Sequence, residues 1–429
     1  MSACIRALAT IVVALNLFAA SAYPQSRKSK FKPQPSHLYP VSTTDKQTGE
    51  KRFGFIDNTG KLVIDFDRLP MATTYVGDFH EGRAVIHIRN ESWVGVRGRL
   101  DYTLGYIDET GKVVVAPRLH MARDFSEGLA FVERVGFRGF IDLKGKEVVN
   151  VGEYLVGDFH EGLAAVTLRP KGGGMGVISS SGNLVVEGMQ QPGDEWGYID
   201  RSGKLVIKRQ YEFADNFSEG LAGVAVNTNY GTKYGFINKR GEMVIAPRFG
   251  PRKRGEHHEE IIGTSRFVSG LACVKEVGGL YGYINQQGDF VIRPQFDRAQ
   301  DFSEGLAWVV TSSGKIGWID TTGRWVVTGV GGHAFPVELG TIYSDETVDW
   351  RYSEGLVFCF VYSEGTDLRG YMDQRGEIVI KPRDYHEFGT LNPFSGGVAL
   401  VYSYLTTGSV TKRHYGYIDK TGHFIWRSK

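Results

Sequence analysis

The sequence predicts an all-β chain built as a tandem array of three-stranded antiparallel meanders. Three observations carry this. Glycine numbers 56 of 429 residues without a G-X-Y period, and aromatics make up 12%; this mixture suits many short strands joined by tight turns. The hexamer FSEGLA occurs at Phe125–Ala130, Phe217–Ala222 and Phe302–Ala307, with variants at Phe79–Ala84, Phe159–Ala164, Phe267–Ala272, Tyr352–Val357 and Phe394–Ala399. A second motif, G-aromatic-I-D-x-x-G-x-x-V-I, recurs with substitutions from first glycines at Gly54, Gly105, Gly139, Gly176, Gly197, Gly235, Gly282, Gly317, Gly370 and Gly416.

The chain begins with a short positive region at Arg6, an apolar run over Ala7–Ala20 and a small-x-small site at Ala20-Ser21-Ala22. Residues 1–22 read as a secretory signal peptide, because the apolar run is too short to span a bilayer. Cys4 lies at the wrong end of it for a lipid anchor. Residues 23–46 are rich in Pro, Ser and Lys without periodicity, and read as a flexible leader. The repeat domain is expected over 47–429, with a possible break between sub-arrays near 176–196, where a motif copy lacks its hexamer. No later segment offers 18 uninterrupted apolar residues, so the mature chain carries no expected transmembrane segment.

Each motif copy reads as a hairpin. In YGFINKRGEMVI (Tyr234–Ile245), Phe236 and Ile237 point to opposite strand faces. Asn238 accepts from its own turn, Gly241 takes the left-handed conformation, and Met243–Ile245 return as a second strand. The first glycine has no turn to make. Its repetition mid-strand implies close approach of a neighbouring chain, or an aromatic ring lying over it. A proline follows in APR (Ala116–Arg118, Ala246–Arg248), RPQF (Arg293–Phe296) and KPR (Lys381–Arg383), and removes a ladder donor there. The hexamer and a strand such as LAFVERV (Leu129–Val135) follow. The expected order is therefore LAxVxx, YGYID, xxVI.

The motif glycine precedes the hexamer glycine by 23 residues in four units, Gly105–Gly128, Gly139–Gly162, Gly197–Gly220 and Gly282–Gly305. A unit this small cannot bury a face alone and stacks on its neighbours. The alternation resembles the WG (KWG) repeat family of bacterial proteins, across Gly54 to Trp426. That resemblance implies a β-rich repeat domain, often exported, used in binding or scaffolding, with no catalytic residues to transfer. The namesake Trp-Gly pair opens a copy only at Trp196-Gly197. Variable spacing and the missing hexamer favour an open solenoid-like array. A closed propeller is the alternative, because the chain begins and ends on the same hairpin.

The chemistry expected of the repeats is structural. The third hexamer position is Glu81, Glu127, Glu161, Glu219, Glu304 or Glu354, and Ser269 or Gly396 in the other two. Glycosidases need one opposed acid pair, not an acid in every unit. These glutamates read as acceptors that organise the bend before the glycine. Calcium takes roughly six to eight oxygens, whereas each motif turn offers one acid, often beside a base, as at Asn238-Lys239-Arg240. His80 and His160 are isolated, and His257-His258-Glu259-Glu260 lacks the H-E-x-x-H spacing. KGGGMG (Lys171–Gly176) lacks the G-K-[ST] of a phosphate loop.

No catalytic, cofactor-binding or metal-binding residue is assigned, and no cofactor is expected. Cys273 and Cys359 sit in apolar runs, as two buried thiols or one disulfide. A net charge of +2 does not suit a phosphate-binding face, so no nucleic acid is expected. Unit-specific function is expected in the insertions at Pro251–Phe267 and Gly329–Tyr352; the second holds His333, Phe335, Glu338, Asp345, Glu346 and Asp349. The reading is a non-catalytic scaffold, exported to the periplasm or beyond, that binds a protein or envelope glycan. The alternative is an exported carbohydrate-active enzyme, with two acids converging from the insertions.

Overall fold

Two glycine-bearing turns, repeated along the chain, generate the architecture. The computed structural model describes residues 37–94, 100–168, 175–178, 184–187, 195–250, 266–328, 350–363, 366–384, 387–407 and 410–428. The signal-peptide expectation falls on residues outside these. All the described elements are strands, paired antiparallel in small sheets.

Among the described residues nine blades follow one another. We label the strands of a full blade a to d in chain order. Blade 1 has Tyr39–Thr44, Lys51–Ile56 and Leu62–Ile64. Blade 2 has Thr73–Val76, Arg83–Val94, Leu100–Asp108 and Val113–Leu119. Blade 3 has Met121–Ala122, Leu129–Arg134, Phe137–Asp142 and Glu147–Asn150. Blade 4 has Tyr154–Val156, Leu163–Leu168, Trp196–Asp200 and Leu205–Tyr211. Blade 5 has Phe213–Ala214, Leu221–Thr228, Gly231–Asn238 and Met243–Phe249. Blades 6 and 7 share one sheet. Ala272–Lys275 and Tyr281–Ile284 pair with the start of Phe290–Ala299, whose end pairs with Leu306–Thr311, followed by Ile316–Asp320 and Trp325–Thr328. Blade 8 has Leu356–Ser363, Thr366–Asp373 and Ile378–Arg383. Blade 9 has Thr390–Leu391, Val398–Thr407, Val410–Asp419 and Phe424–Arg427.

The predicted meander is therefore present as strands b, c and d. Most blades add a short strand a, which the sequence reading lacked. At two to four residues, as in Met121–Ala122 or Phe213–Ala214, it is too short to show an alternation. The expected leader over 23–46 is corrected only at its end, since residues 23–36 lie outside those described. Tyr39–Thr44 is a strand in register with Lys51–Ile56, and Tyr39 and Val41 are buried. It serves as strand b of blade 1, without a hexamer to announce it. The Gly176 copy is an inserted hairpin, Met175–Ile178 paired with Leu184–Glu187. It lies between two blade 4 strands that pair with each other.

The mid-strand glycine meets the backbone of its neighbour. A Cβ built on Gly370 would lie 2.3 Å from the Ile380 carbonyl oxygen, and one on Gly197 would lie 2.5 Å from that of Ile207. Strands c and d shift register here, so the d carbonyl leans over the glycine. Of the two causes the sequence allowed, the chain excludes a side chain at these copies, and at Gly416 a ring joins it, Phe424 at 2.8 Å beside the Trp426 carbonyl at 2.7 Å.

Each blade then packs on the next through one repeated pair of rings. The aromatic after the motif glycine meets the hexamer aromatic of the following blade, from Phe55–Phe79 and Tyr106–Phe125 through Tyr371–Phe394. Centroids are 4.7 to 5.6 Å apart. The series continues across the ends, where Tyr417 of blade 9 meets Tyr39 of blade 1 at 5.4 Å. Tyr417 also donates to the Pro40 carbonyl at 2.8 Å, as Tyr198 of blade 4 does to that of Asp215, between strands a and b of blade 5, at 2.6 Å. Tyr39, Val41, Ile56, Val398 and Tyr417 form one buried cluster. The blades thus close into a propeller-type ring, the second of the two arrangements compatible with the sequence. The ring contact holds between the blades on either side of both long insertions, at Phe236–Phe267 and Trp318–Tyr352.

Candidate functional site

The repeated acids come first, because they decide whether the ring carries chemistry. The hexamer reverses the chain between strands a and b. Ser126 and Leu129 exchange both backbone hydrogen bonds, at 2.9 and 3.1 Å. Between them Glu127 has φ 52° and Gly128 φ 77°. Two consecutive left-handed residues make a type I′ turn, the two-residue hairpin that matches strand twist. The same geometry holds at Glu81, Glu161, Glu219, Glu304, Glu354 and Ser269.

A glutamate in left-handed conformation is unfavourable locally, so its side chain needs a reason. The sequence reading made it an acceptor within its own bend. The structure corrects this, because the carboxylate reaches the bend of the next blade. Glu127 accepts from the backbone N–H groups of Glu161 and Gly162, the second at 2.9 Å. Glu304 accepts from Glu354 and Gly355 at 2.6 and 2.9 Å. Glu81, Glu161, Glu219 and Glu354 accept from Gly128, Gly220, Gly270 and Gly397. A left-handed turn aims its two central N–H groups outward, and the preceding carboxylate fills them. Beside them Ser126, Ser218, Ser303 and Ser353 donate to the carbonyls of Phe159, Phe267, Tyr352 and Phe394, the hexamer aromatics of the following turns.

A third residue caps the contact. Lys239 pairs with Glu161 at 2.9 Å and Lys420 with Glu354 at 3.1 Å, while Gln374 donates to Glu304 at 3.1 Å. Each stands directly after the motif Asp or Asn. Where the acid is absent, at Ser269, the corresponding residue of the next blade is Thr321. This pairing of positions one blade apart was present in the sequence but spans two motifs, so neither motif alone displays it.

The motif Asp is also occupied. Asp320 Oδ1 accepts from the backbone N–H groups of Thr322 and Arg324 at 3.0 Å each and from the Thr322 hydroxyl at 2.6 Å. The hydroxyl foremost, with the amides after it, holds its carboxyl down at about 2. Asn238 takes the same two amides in its turn, as expected.

The residues flanking the hexamer aromatic supply further ionisable groups. His80 lies 3.3 Å from Asp124, and Arg123 lies 3.4 Å from Asp158 while donating to the Val156 carbonyl at 2.7 Å. Burial pushes the Asp158 carboxyl up and the Arg123 guanidinium down, so desolvation outweighs their pairing. Asp78 is reached by solvent, yet desolvation by the protein around it raises its carboxyl, against the lowering by His80 and with a smaller push from Asp124. His160 lies in blade 4, its Nε2 buried without a partner, and burial lowers its pKa. His80 and His160 therefore do not meet. Among the described residues no group of three His, Cys, Asp or Glu side chains is placed to hold a metal ion, and no helix is long and apolar enough to cross a membrane.

Cys273 and Cys359 are not joined by a disulfide and are buried in separate cores, and burial pushes the Cys359 thiol up to about 12. His257–Glu260, Lys171–Gly174 and the acids at 329–349 lie outside the described residues.

The family profile described as WG containing repeat matches residues 53–90, 105–134, 139–169, 196–230, 234–250, 281–313 and 370–402, just over half of the chain. No curated protein matches the sequence. Similar solved structures include a eukaryotic initiation factor, at 11% identity over 82% of this chain and 89% of that one, with a TM-score of 0.41. Another is BamB from Moraxella catarrhalis, at 10% identity over 90% of this chain and 97% of that one, with a TM-score of 0.27.

Proposed function

The chain belongs to the WG containing repeat family, and from that premise we propose that it is a non-catalytic scaffold, exported from the cytoplasm, that binds a protein or glycan of the cell envelope. One observation carries the reading. The repeated acids, which alone could have made every unit reactive, are occupied by backbone amides of the turns. A carboxylate that accepts two amide N–H groups is a structural tie and a poor general acid or base. What is left is a rigid ring that displays loops and side-chain platforms of differing sequence, the arrangement by which scaffolds bind. Export rests on the signal-like pattern of residues 1–22.

The test is retention. The mature chain, immobilised, is exposed to the envelope fraction of the producing cell, with cytosol as control. Selective capture of one envelope component supports the scaffold. Retention no better than that of a scrambled-surface control overturns it.

A further inference from the structure

The tie between successive turns is broken at one place where the blades still dock. Blade 6 carries Val268-Ser269 where blades 3, 5, 7 and 8 carry Ser-Glu. Its ring contact with blade 7 is nevertheless ordinary, with Tyr283 and Phe302 at 4.8 Å. The turn of blade 7 also has the usual left-handed pair, Glu304 at φ 51° and Gly305 at φ 80°. The two blades share strand Phe290–Ala299, so they stay joined without the tie. The missing side chains leave a notch lined by unused groups. Among the described residues nothing donates to the Phe302 carbonyl, and the N–H groups of Glu304 and Gly305 have no acceptor.

The rest of the ring shows what such a notch holds. In six other turns the equivalent N–H groups carry a glutamate carboxylate from the preceding blade. Those copies also show which surroundings allow it. Asp301 precedes the hexamer aromatic of blade 7, but Asp158 holds that position in blade 4, whose turn takes Glu127. Arg266 and Arg351 hold it in blades 6 and 8 and offset Asp301. Thr321 replaces the capping Lys or Gln, but Leu143 stands there at the tie from Glu81 to Gly128. Ser269 and Thr321 each bring a hydroxyl able to donate. The turn of blade 2 likewise follows a blade without a hexamer. There the Glu109 carboxyl carbon lies 3.9 Å from the Cβ position of Gly82, and it repels a second carboxylate.

We propose that the notch between Ser269 and Glu304-Gly305 captures a glutamate side chain of a partner protein, its carboxylate accepting from the two turn N–H groups. The inference rests on the scaffold reading and names its partner class, a protein with an exposed acidic segment. Successive backbone N–H groups in a turn form a concavity that takes anions, and hydrogen bonds to an ionised acceptor are the strong ones. The hairpin that presents them is already folded, so little ordering opposes binding. The guest enters from solvent, because Ser269 is exposed. A glutamate at position 269 would supply the same carboxylate from within, as it does in the other blades.

The experiment follows the Gly305 amide resonance of the mature chain, isotopically labelled at glycine. The probes are acetyl-Gly-Glu-Gly-amide, its glutamine counterpart, acetylglycine as a free C-terminal carboxylate, and tetragalacturonate. A saturable shift of Gly305 with the glutamate peptide, and none with the glutamine peptide, is expected. Ser269→Glu fills the notch from within and is expected to weaken the glutamate peptide about ten-fold or more. In that variant the free protein is expected to show Gly305 already displaced as the peptide displaces it. Ser269→Ala leaves the notch open and is expected to keep the response. Absence of a saturable shift, an equal response to the glutamine peptide, undiminished binding in Ser269→Glu, or a larger response to acetylglycine or tetragalacturonate overturns the assignment. Envelope capture that Ser269→Glu leaves intact, beside a failed titration, separates the two ideas, because the scaffold would then stand while the notch fell.

Discussion

At Glu127 two demands conflict. A type I′ turn asks for glycine or asparagine at its first central position, and the next blade asks for a carboxylate. If the turn alone mattered, Glu127→Gly would stabilise by relieving the left-handed backbone. The contacts to Glu161 and Gly162 predict the opposite. Loss of charge-assisted hydrogen bonds is expected to destabilise by about 1–3 kcal/mol, read as a lower urea midpoint, with Glu127→Gln in between. A second expectation concerns acid. Asp320 is held at about 2, and Asp57 and Asp200 are lowered in the same way by the Thr59 and Ser202 hydroxyls and by turn amides. A depressed carboxyl gives stability that is complete above the unfolded value of about 3.9 and lost as pH falls toward the folded one. Tryptophan fluorescence is expected to stay flat from pH 7 to roughly 4 and to change below. A main transition near pH 6 would count against these turns as the acid-labile element.

At the scale of the strand, the sequence was most legible where a residue has one permissible conformation. Gly241 and Asn238 were read correctly, because a left-handed turn and its acceptor leave few choices. The mid-strand glycines were legible as a constraint and not as a geometry, because a ring and a carbonyl exclude a side chain equally well. Gly370→Ala tests the geometry. With the Ile380 carbonyl at 2.3 Å from the new Cβ, strand d must move, and a loss of about 1–3 kcal/mol is expected by thermal or urea unfolding. Strand a was invisible, because two residues have no period.

At the scale of the molecule, the open array and the closed ring differ by a single seam. Repetition describes a unit and its neighbour; it says nothing of whether the last neighbour is the first unit. The seam was hidden because Tyr39 reaches it from a strand without a hexamer, in a stretch whose Pro and Lys content resembles a linker. Closure makes a comparison possible. Tyr417→Phe removes the bond to Pro40, and Tyr198→Phe removes its counterpart to Asp215. Each is expected to cost about 1 kcal/mol in one cooperative urea transition. A protein that feels the second change and ignores the first is not a ring.

The seam also sets a timetable. The hydrogen bond from Tyr39 to the Ser395 carbonyl spans 356 residues, and that from Tyr417 to Pro40 spans 377. Contacts so distant in sequence form late and slowly. Strand Tyr39–Thr44 is made first, yet one side of its sheet finds its partner only when the last blade is present. Until then the nascent chain holds an apolar edge at each end, Tyr39 and Val41 on one and Val398 and Tyr417 on the other. Such edges are where incomplete chains associate with one another. The chain must therefore be kept from its own copies during synthesis for longer than an open repeat array would need, and fragments ending before blade 9 are expected to sediment as aggregates while the full chain does not.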